Sequence, residues 1–580
     1  MATVSLTPLV SIGGSALATN WQSALLEIRV ERALNVPGRA TVRFLDPGYA
    51  LLQSKSVTLG ATFKITDPSG AHVLLKGFVT GIGCEQREEE QPELVVVAHD
   101  LGYKLGLTSR VKTWTQVKVS TVVSTLASAA GLSPTSGSSA SSATLAYLLQ
   151  VDTNLGLLGE LAQRVGADWW VATTTLYFGT PSELSSARTT VSLTLGSGLR
   201  SFSGRAVPAP ASVTVTGWNI TQQQTVTGQA SSATTGVLPT STLGGLATAT
   251  GAFVTAAVAA RSSTEAKTLS QALFDLRAGA AVEATGVADG NGTLSPGGTV
   301  TVASAGPLSG KYAITAVEHV YRPRRGFLTR IRSGDRRPAG IAEGARGRSA
   351  GGAGASIVGH HGVTAGIVTN IKDPTSSGRV KVQFPGMSST QESAWARVVA
   401  TGGGATRGNV FIPEVNDEVL VAFEDGDTRT PVVIGGLYGS KSKIPAPTLK
   451  DGKVQKRQLV SRLGHAFRFL DGTSTAQKAI ELALADGQAL HLGSDKTTLT
   501  LTSGKAFTIT VGSTKITVAA NTGALSLSAA TISIKATSEL KLAAPTISVS
   551  ATTALTLKGL TVTVTGSSAV TVKASTEVGI

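Results

Sequence analysis

The sequence predicts a mainly β chain with minor α content, on three observations. Short alternating apolar runs lie between Gly, Pro and Asp turn residues through the first two thirds. Helical spacing recurs in only a few places. The C-terminal stretch repeats short strands every seven or eight residues. A length of 580 residues allows three or four domains. With 15% charged residues and mean hydropathy of +0.17, the chain is too apolar for disorder. No apolar run approaches the twenty residues of a membrane span. The opening MATVSLTPLVSIGG lacks a basic segment followed by an apolar one, so no signal peptide is expected and synthesis in the cytoplasm is. A single cysteine, Cys84, excludes an intrachain disulfide and a Cys-based zinc site.

In residues 1–345, alternation marks strands at Leu25–Val30, Ala40–Leu45, Phe63–Thr66 and Glu93–Val97. Helices are predicted over Val119–Ala130 and Asn154–Val165, each stopped by a glycine, and over Ala260–Arg277, where Leu269, Leu273 and Leu276 share a stripe. The Ser/Thr-rich stretches Ser133–Thr144 and Gln222–Thr250 read as surface loops. Residues 346–358, rich in Gly and Ala, read as a linker.

The net charge of +15 has a local source: Arg322–Arg348 holds nine arginines against Asp335 and Glu343. Clustered arginine suits phosphate, yet aromatic residues are almost absent after Phe327, so nucleic acid is not expected. A solvated strand end with a linker, or an acidic protein partner, fits better.

Residues 359–440 hold five strand-like runs, GIVTNIK, GRVKVQF, WARVVA, EVLVAFE and PVVIGGLYG, which suit a small barrel of the OB type. A connector, 441–498, follows. From 499 to 580 come paired apolar positions, Ser, Thr or Lys between them: Ile532/Ile534, Leu540/Leu542, Ile547/Val549, Leu555/Leu557, Val562/Val564 and Val570/Val572 among others. Period two within a pair and a longer repeat between pairs predict a β-solenoid needle with these positions as its core. So few inward side chains per strand bury little alone. Either one chain coils into a three-sided prism, or three chains intertwine; the period fits both.

The barrel segment carries a recognisable pattern. GVTAGIVTNIKDPTSSGRVKVQFPG, then WARVV, then GNVFIPEVNDEVLVAFEDGDTRTPVVIGGLYG, resembles the baseplate-spike OB domain shared by phage central spikes and VgrG proteins. SRLGHAFRFLDG (461–472) is similar to the family's lead into its needle. LKGFVTGI, AHDLGYKL, DTNLGLLGELAQRVGADWWVATTTLYFG and GKYAITAVEHVYRPRRGFLTRIR resemble, in order, tail-hub proteins of the late-control D type. The resemblance implies a homotrimer: a hub of two similar barrel-like halves with helical insertions, an OB-fold collar, and three tails intertwined into a β-helix. It implies a hexameric inner tube protein and baseplate proteins as partners, a PAAR-repeat protein on the tip at Val578, Gly579 and Ile580, and possible effector cargo. The machine would be assembled in the bacterial cytoplasm, a phage-tail-like system being favoured over type VI secretion, and would puncture the target membrane mechanically. Matched barrel positions are Gly378, Arg379, Phe384, Pro385, Trp395, Pro413, Asp417, Gly426 and Asp427; in the hub they are Asp100, Asp152 and His319. Structural roles are expected for all of them.

No catalytic, cofactor or metal residues are predicted. The roughly sixty residues between Gly439 and Leu499 are too few for a hydrolase domain, and Glu481, Asp486 and Glu88–Glu90 sit in strand or hairpin-turn contexts. Adjacent His360 and His361 point to opposite sides of an extended chain. GGGATRG (402–408) lacks the Lys-Ser/Thr and helix of a phosphate loop. The rival reading is a tailspike enzyme degrading envelope polysaccharide or peptidoglycan. Against it, the needle offers only Glu539 and Glu577 as acids and has no aromatic platform for a sugar.

Overall fold

Inward and outward side chains alternate along Leu25–Ala33 and Arg39–Leu45. Ile28, Val30, Ala40, Val42 and Phe44 are buried, while Arg29, Thr41 and Arg43 face the other way, as a half-buried pleated sheet requires. The computed structural model describes residues 7–573 except 138–142, 185–188, 248, 257–259, 337–361, 389, 446–447, 503 and 520–521. It divides into two units, Met1–Lys443 and Ile444–Ile580.

In the first unit these two strands belong to a fourteen-stranded sheet. Antiparallel pairing of Leu25–Ala33 with Ala316–Arg322 joins its two halves. One core gathers Val10, Ile28, Phe44, Phe63 and Val96, and a second gathers Leu199, Val300, Tyr312, Val317 and Ile331. A third packs Val122, Val123 and Leu126 of helix Val119–Ala129 against Leu157, Leu158 and Leu161 of helix Asn154–Val165. Both helices lie where apolar spacing predicts them. Thr153 caps the second by accepting from the Gly156 amide at 3.0 Å, and Gly166 ends it at φ 65°. The third helix runs Ser263–Ala280, a few residues later than expected. Ser262 is its N-cap, accepting from the Glu265 amide, and Glu265 reaches back to the Arg261 amide.

The two predicted loops are corrected. Ser133–Ser136 is a strand beside Thr175–Gly179. Gln224–Ala230 is a strand whose Val226, Gly228 and Ala230 turn inward, and Thr242–Gly245 is a short helix. Threonine favours pleated surfaces, so Ser/Thr richness marked solvated strand faces there. The barrel is a five-stranded sheet in the order Lys381–Gln383, Val363–Asn370, Glu418–Phe423, Pro431–Gly436, Arg397–Val398. Val368, Val382, Val419, Val421 and Val433 fill it.

The second unit opens with a five-stranded antiparallel meander: Lys456–Val460, Ala466–Asp471, Lys478–Ala483, Ala489–Gly493 and Thr497–Thr500. A three-stranded meander follows, Ala506–Val511, Thr514–Ala519 and Ala524–Ser528. The expected solenoid from residue 499 is therefore corrected: up to residue 528 the chain reverses in hairpins. Gly512 and Gly523, both in the left-handed region at φ 59° and 63°, supply the turns. Past Gly523 no described residue adopts a positive φ. Residues 529–573 form no strand pairing among the described residues and bend at Ala530, Thr537–Ser538, Pro545, Thr552–Thr553, Leu560 and Ser567–Ser568.

Candidate functional site

The five-stranded meander sorts its side chains by face. Leu459 stands opposite Phe467, Phe467 opposite Leu482, Leu482 opposite Leu490, and Leu490 opposite Leu499. Beside that row, Phe469 faces Ile480 and Ile480 faces Leu492. Directly opposed residues share a face, so one side of the sheet carries both apolar rows, with Arg457, Asp471, Lys478 and Thr497 at its margin and Phe467 and Phe469 in edge contact at 4.8 Å. The reverse side carries the row Gln458, Arg468, Glu481, His491 and Thr498. Arg468 donates to Glu481 at 2.6 Å and to Gln458 at 3.2 Å, and His491 lies 3.6 Å from Glu481.

Among the described residues of this unit nothing covers the apolar side: Leu482 is 52% exposed and Phe469 43%. The pattern continues through Phe507, Ile509, Ile516, Val518, Leu525 and Leu527, paired across the second meander.

Beyond residue 528 the apolar pairs expected to form a core between intertwined chains are left exposed by their own chain. The first members of the apolar pairs, Ile532, Leu540, Ile547, Leu555, Val562 and Val570, are 50–58% exposed. Their second members, Ile534, Leu542, Val549, Leu557, Val564 and Val572, are more exposed still, at 64–71%. The physical reason is geometric. The bends recur every seven or eight residues, each leaving one apolar pair on a straight segment with no strand beside it. An extended segment without a ladder leaves both its backbone groups and its apolar stripe in water, and the lone chain offers neither a partner. The predicted tip residues Val578, Gly579 and Ile580, with His360 and His361, lie outside the described residues.

The barrel positions are brought together as braces. Asp373 accepts from Arg379 at 2.7 and 3.1 Å and from the amides of Thr375, Ser377 and Arg379. Arg379 thereby holds the Asp373 carboxyl well below the usual range. The guanidinium lies 5.9 Å from the Trp395 ring. Gly378 has φ 74°, and a side chain there would press on Ile412. Phe384 packs on Phe423, Pro385 sits in the turn after it, Pro413 is half-buried, and Asp417 accepts from the Glu414 amide at 2.8 Å. Gly426, at φ 70°, precedes buried Asp427.

Asp427 fastens barrel to hub. It pairs with Arg429 at 2.8 Å and lies 3.8 Å from Arg261; Arg429 in turn pairs with Glu265 at 2.9 Å, and Glu265 lies 3.8 Å from Arg164. Burial pushes the Asp427 carboxyl up, but Arg429 outweighs it and the group ends below its ordinary value. A second contact joins Gln391 to the Thr113 amide at 2.9 Å, and Tyr147 donates to the Glu392 carbonyl at 3.1 Å. Sequence reasoning missed Glu265, Arg261 and Arg429 as a joint. These partners stand more than 150 residues apart and carry no local signal.

In the hub, buried Asp100 accepts from the Gly38 and Gly102 amides at 2.7 and 2.8 Å. Burial raises its carboxyl to about 7. His319, stacked on Phe327 and 3.0 Å from the Thr329 hydroxyl, is driven down to about 3 by burial and by the charge of Arg32. Asp152 accepts from the Thr153 amide at 2.6 Å. Within the arginine cluster, Arg322 pairs with Glu27 and Arg330 with Glu318. Arg336 departs from the solvated reading: it is buried against Asp168, and burial lowers it to about 10. Arg337, Arg346 and Arg348 lie outside the described residues. Among the described residues no group of three His, Cys, Asp or Glu is placed to hold a metal, and no helix is long and apolar enough to cross a membrane.

Comparison with known proteins follows these divisions. Residues 3–322 match the Alg8 N-terminal domain family, and residues 364–438 match the type VI secretion system/phage-baseplate injector OB domain. The chain is 46% identical over 72 residues to the Pseudomonas aeruginosa type VI secretion system spike protein VgrG5, covering 12% of this chain and 9% of that one. It is 32% identical over 124 residues to VgrG2a of the same organism, covering 20% and 14%. The match thus spans only a small part of either relative's length. A type VI secretion component of E. coli, described as structurally similar to T4 tail proteins gp27 and gp5, aligns over 74% of this chain and 99% of its own at 14% identity, with a TM-score of 0.45. With over half its length matched by the first model, the chain belongs to the Alg8 N-terminal domain family, and its barrel is similar to the OB domain of type VI secretion and phage-baseplate injectors, including that of VgrG spike proteins.

Proposed function

We propose that three copies of this chain assemble into a central spike that joins a hexameric tube to a threefold needle and drives that needle through a target envelope. The observation that carries the reading is the series of apolar side chains between Leu459 and Val572, on two meanders and an unpaired segment, left uncovered by their own chain. Each buried square ångström of such surface is worth roughly 25 cal/mol, and strands of neighbouring copies would supply the missing ladder. The number three comes from the resemblance to phage central spikes. A three-sided needle also suits a backbone that turns a corner every seven or eight residues.

The same reading assigns the remaining partners. A hub of two halves in three copies offers six similar surfaces to a tube ring. A PAAR-type protein would sit on Val578, Gly579 and Ile580, baseplate proteins would surround the hub, and effectors would travel as cargo. Assembly would take place in the bacterial cytoplasm, within a phage-tail-like particle. The work is mechanical, with no catalytic group assigned. Light scattering on purified protein tests the central step. A mass three times 58.9 kDa is expected, and a stable monomer would overturn the spike.

A further inference from the structure

One rim of the hub sheet carries two turns of opposite charge. Glu85 and Glu93 close the hairpin of Val73–Glu85 and Glu93–Asp100, so its turn, Gln86–Pro92, leaves the rim where Leu45 faces Glu93. Leu25 faces Phe44 at that rim, and Ile28 faces Tyr321 near it. The hairpin of Ala316–Arg322 and Gly326–Ser333 therefore turns at the same rim, through Pro323, Arg324 and Arg325. Strand order places four spacings between the two turns, roughly 19 Å at ~4.8 Å each. Arg322 is occupied by Glu27, and Arg87 lies near Glu85 and Glu90. Exposed Arg324 and Arg325 form no ion pair with any described residue, and neither do exposed Glu88 and Glu89.

We propose that the Arg324–Arg325 turn of one copy seats against the Glu88–Glu89 turn of the next, a charge clasp repeated around the hub ring. The clasp rests on the trimeric reading above and adds to it a contact between hubs. Two different patches on each copy make a head-to-tail interface, which closes into a ring when the rotation permits. Because both turns leave the same rim, rotation about an axis normal to that rim brings base to acid at one level, with no shift along the axis. The chain cannot satisfy the pair by itself, since strands hold its two turns apart. Exposed charge pairs add little affinity but steer encounter and fix register. The clasp would therefore align hubs whose holding energy lies elsewhere.

Disulfide trapping tests it on the full chain. In a Cys84→Ser background, Glu89→Cys and Arg325→Cys are combined and oxidised with glutathione disulfide. A disulfide needs Cα atoms within ~7 Å, so the two positions of one chain cannot join. Covalent dimers and closed trimers on a non-reducing gel are the expected result. Adding Glu88→Arg should cut their yield several-fold, and adding Arg324→Glu to that variant should restore it. Monomer-sized bands from a protein that light scattering shows to be trimeric would overturn the clasp alone, as would failure of the swap to restore the yield. A monomer in light scattering would overturn both the clasp and the trimer.

Discussion

The strands Leu25–Ala33 and Ala466–Asp471 alternate in the same way yet end in opposite environments. Ile28 and Val30 of the first are buried by the halves of a sheet that close around their own cores. Phe467 and Phe469 of the second lie on a sheet with no second layer among the described residues of its unit, and Phe469 stays 43% exposed. Ala466 is the sole buried hydrophobic residue described beyond residue 443. The difference lies in topology rather than composition. A sheet needs another layer to cover its apolar face, and the hub finds one within the chain. In the second unit the same pattern is left uncovered among the described residues.

That contrast can be broken from either side. The largest effect is expected at the centre of the uncovered row. Phe467→Asp or Leu482→Asp puts charge where the proposed trimer would bury the face, and the light-scattering mass should fall from three chains to one while the unfolding transition of the hub persists. Retention of the trimer would show that this face is not the contact.

Next comes Asp427→Ala, which takes from the largely buried Arg429 its carboxylate partner at 2.8 Å. Breaking a buried pair by removing one partner costs about 3–5 kcal/mol, to be read by denaturant unfolding of the hub and barrel. A loss below about 1 kcal/mol would mean that solvent already reaches the joint.

A subtler test uses pH. Asp100, raised to about 7, favours the folded hub at low pH, and that contribution is lost as pH rises through 7. His99 and His319 are lowered to about 4 and 3, so their contribution is present above the ordinary histidine value and lost as pH falls toward those values. Between pH 7 and 4 the groups oppose each other. Asp100→Asn should remove the opposing slope and make thermal stability fall more steeply with acid; an unchanged profile would deny Asp100 this role. The smallest effect is expected at Arg200, whose pair with Asp289 is open to solvent on both sides. Arg200→Ala should shift unfolding by less than about 1 kcal/mol.

Local periodicity made much of this legible. The helices at Val119 and Asn154 and the five barrel strands follow from apolar spacing and glycine stops. The apolar pairs of the tail were visible too, but period two says only which side chains share a face. It does not say what covers that face: Ile534, Leu542, Val549, Leu557 and Val564 are left in water by their own chain, and the core expected for them needs other copies. Features set by distant partners also escaped. Nothing near Glu265 announces Arg429, and Arg336 looked like part of a solvated arginine run until the fold supplied Asp168. The hairpins of Ala506–Ser528 were read as solenoid turns because apolar pairs recur at similar intervals in both; Gly512 and Gly523 make the difference.

The absence of pairing among the described residues of 529–573 also bears on time. The hub can fold at a rate independent of how many chains surround it. On the trimeric reading proposed above, a segment whose ladder comes from other copies becomes ordered only after they collide. Its formation should therefore slow as the protein is diluted, with finished hubs waiting on unfinished shafts. In a cell that delay favours copies made close together on one message, and an unzipped tail is what quality control would meet first.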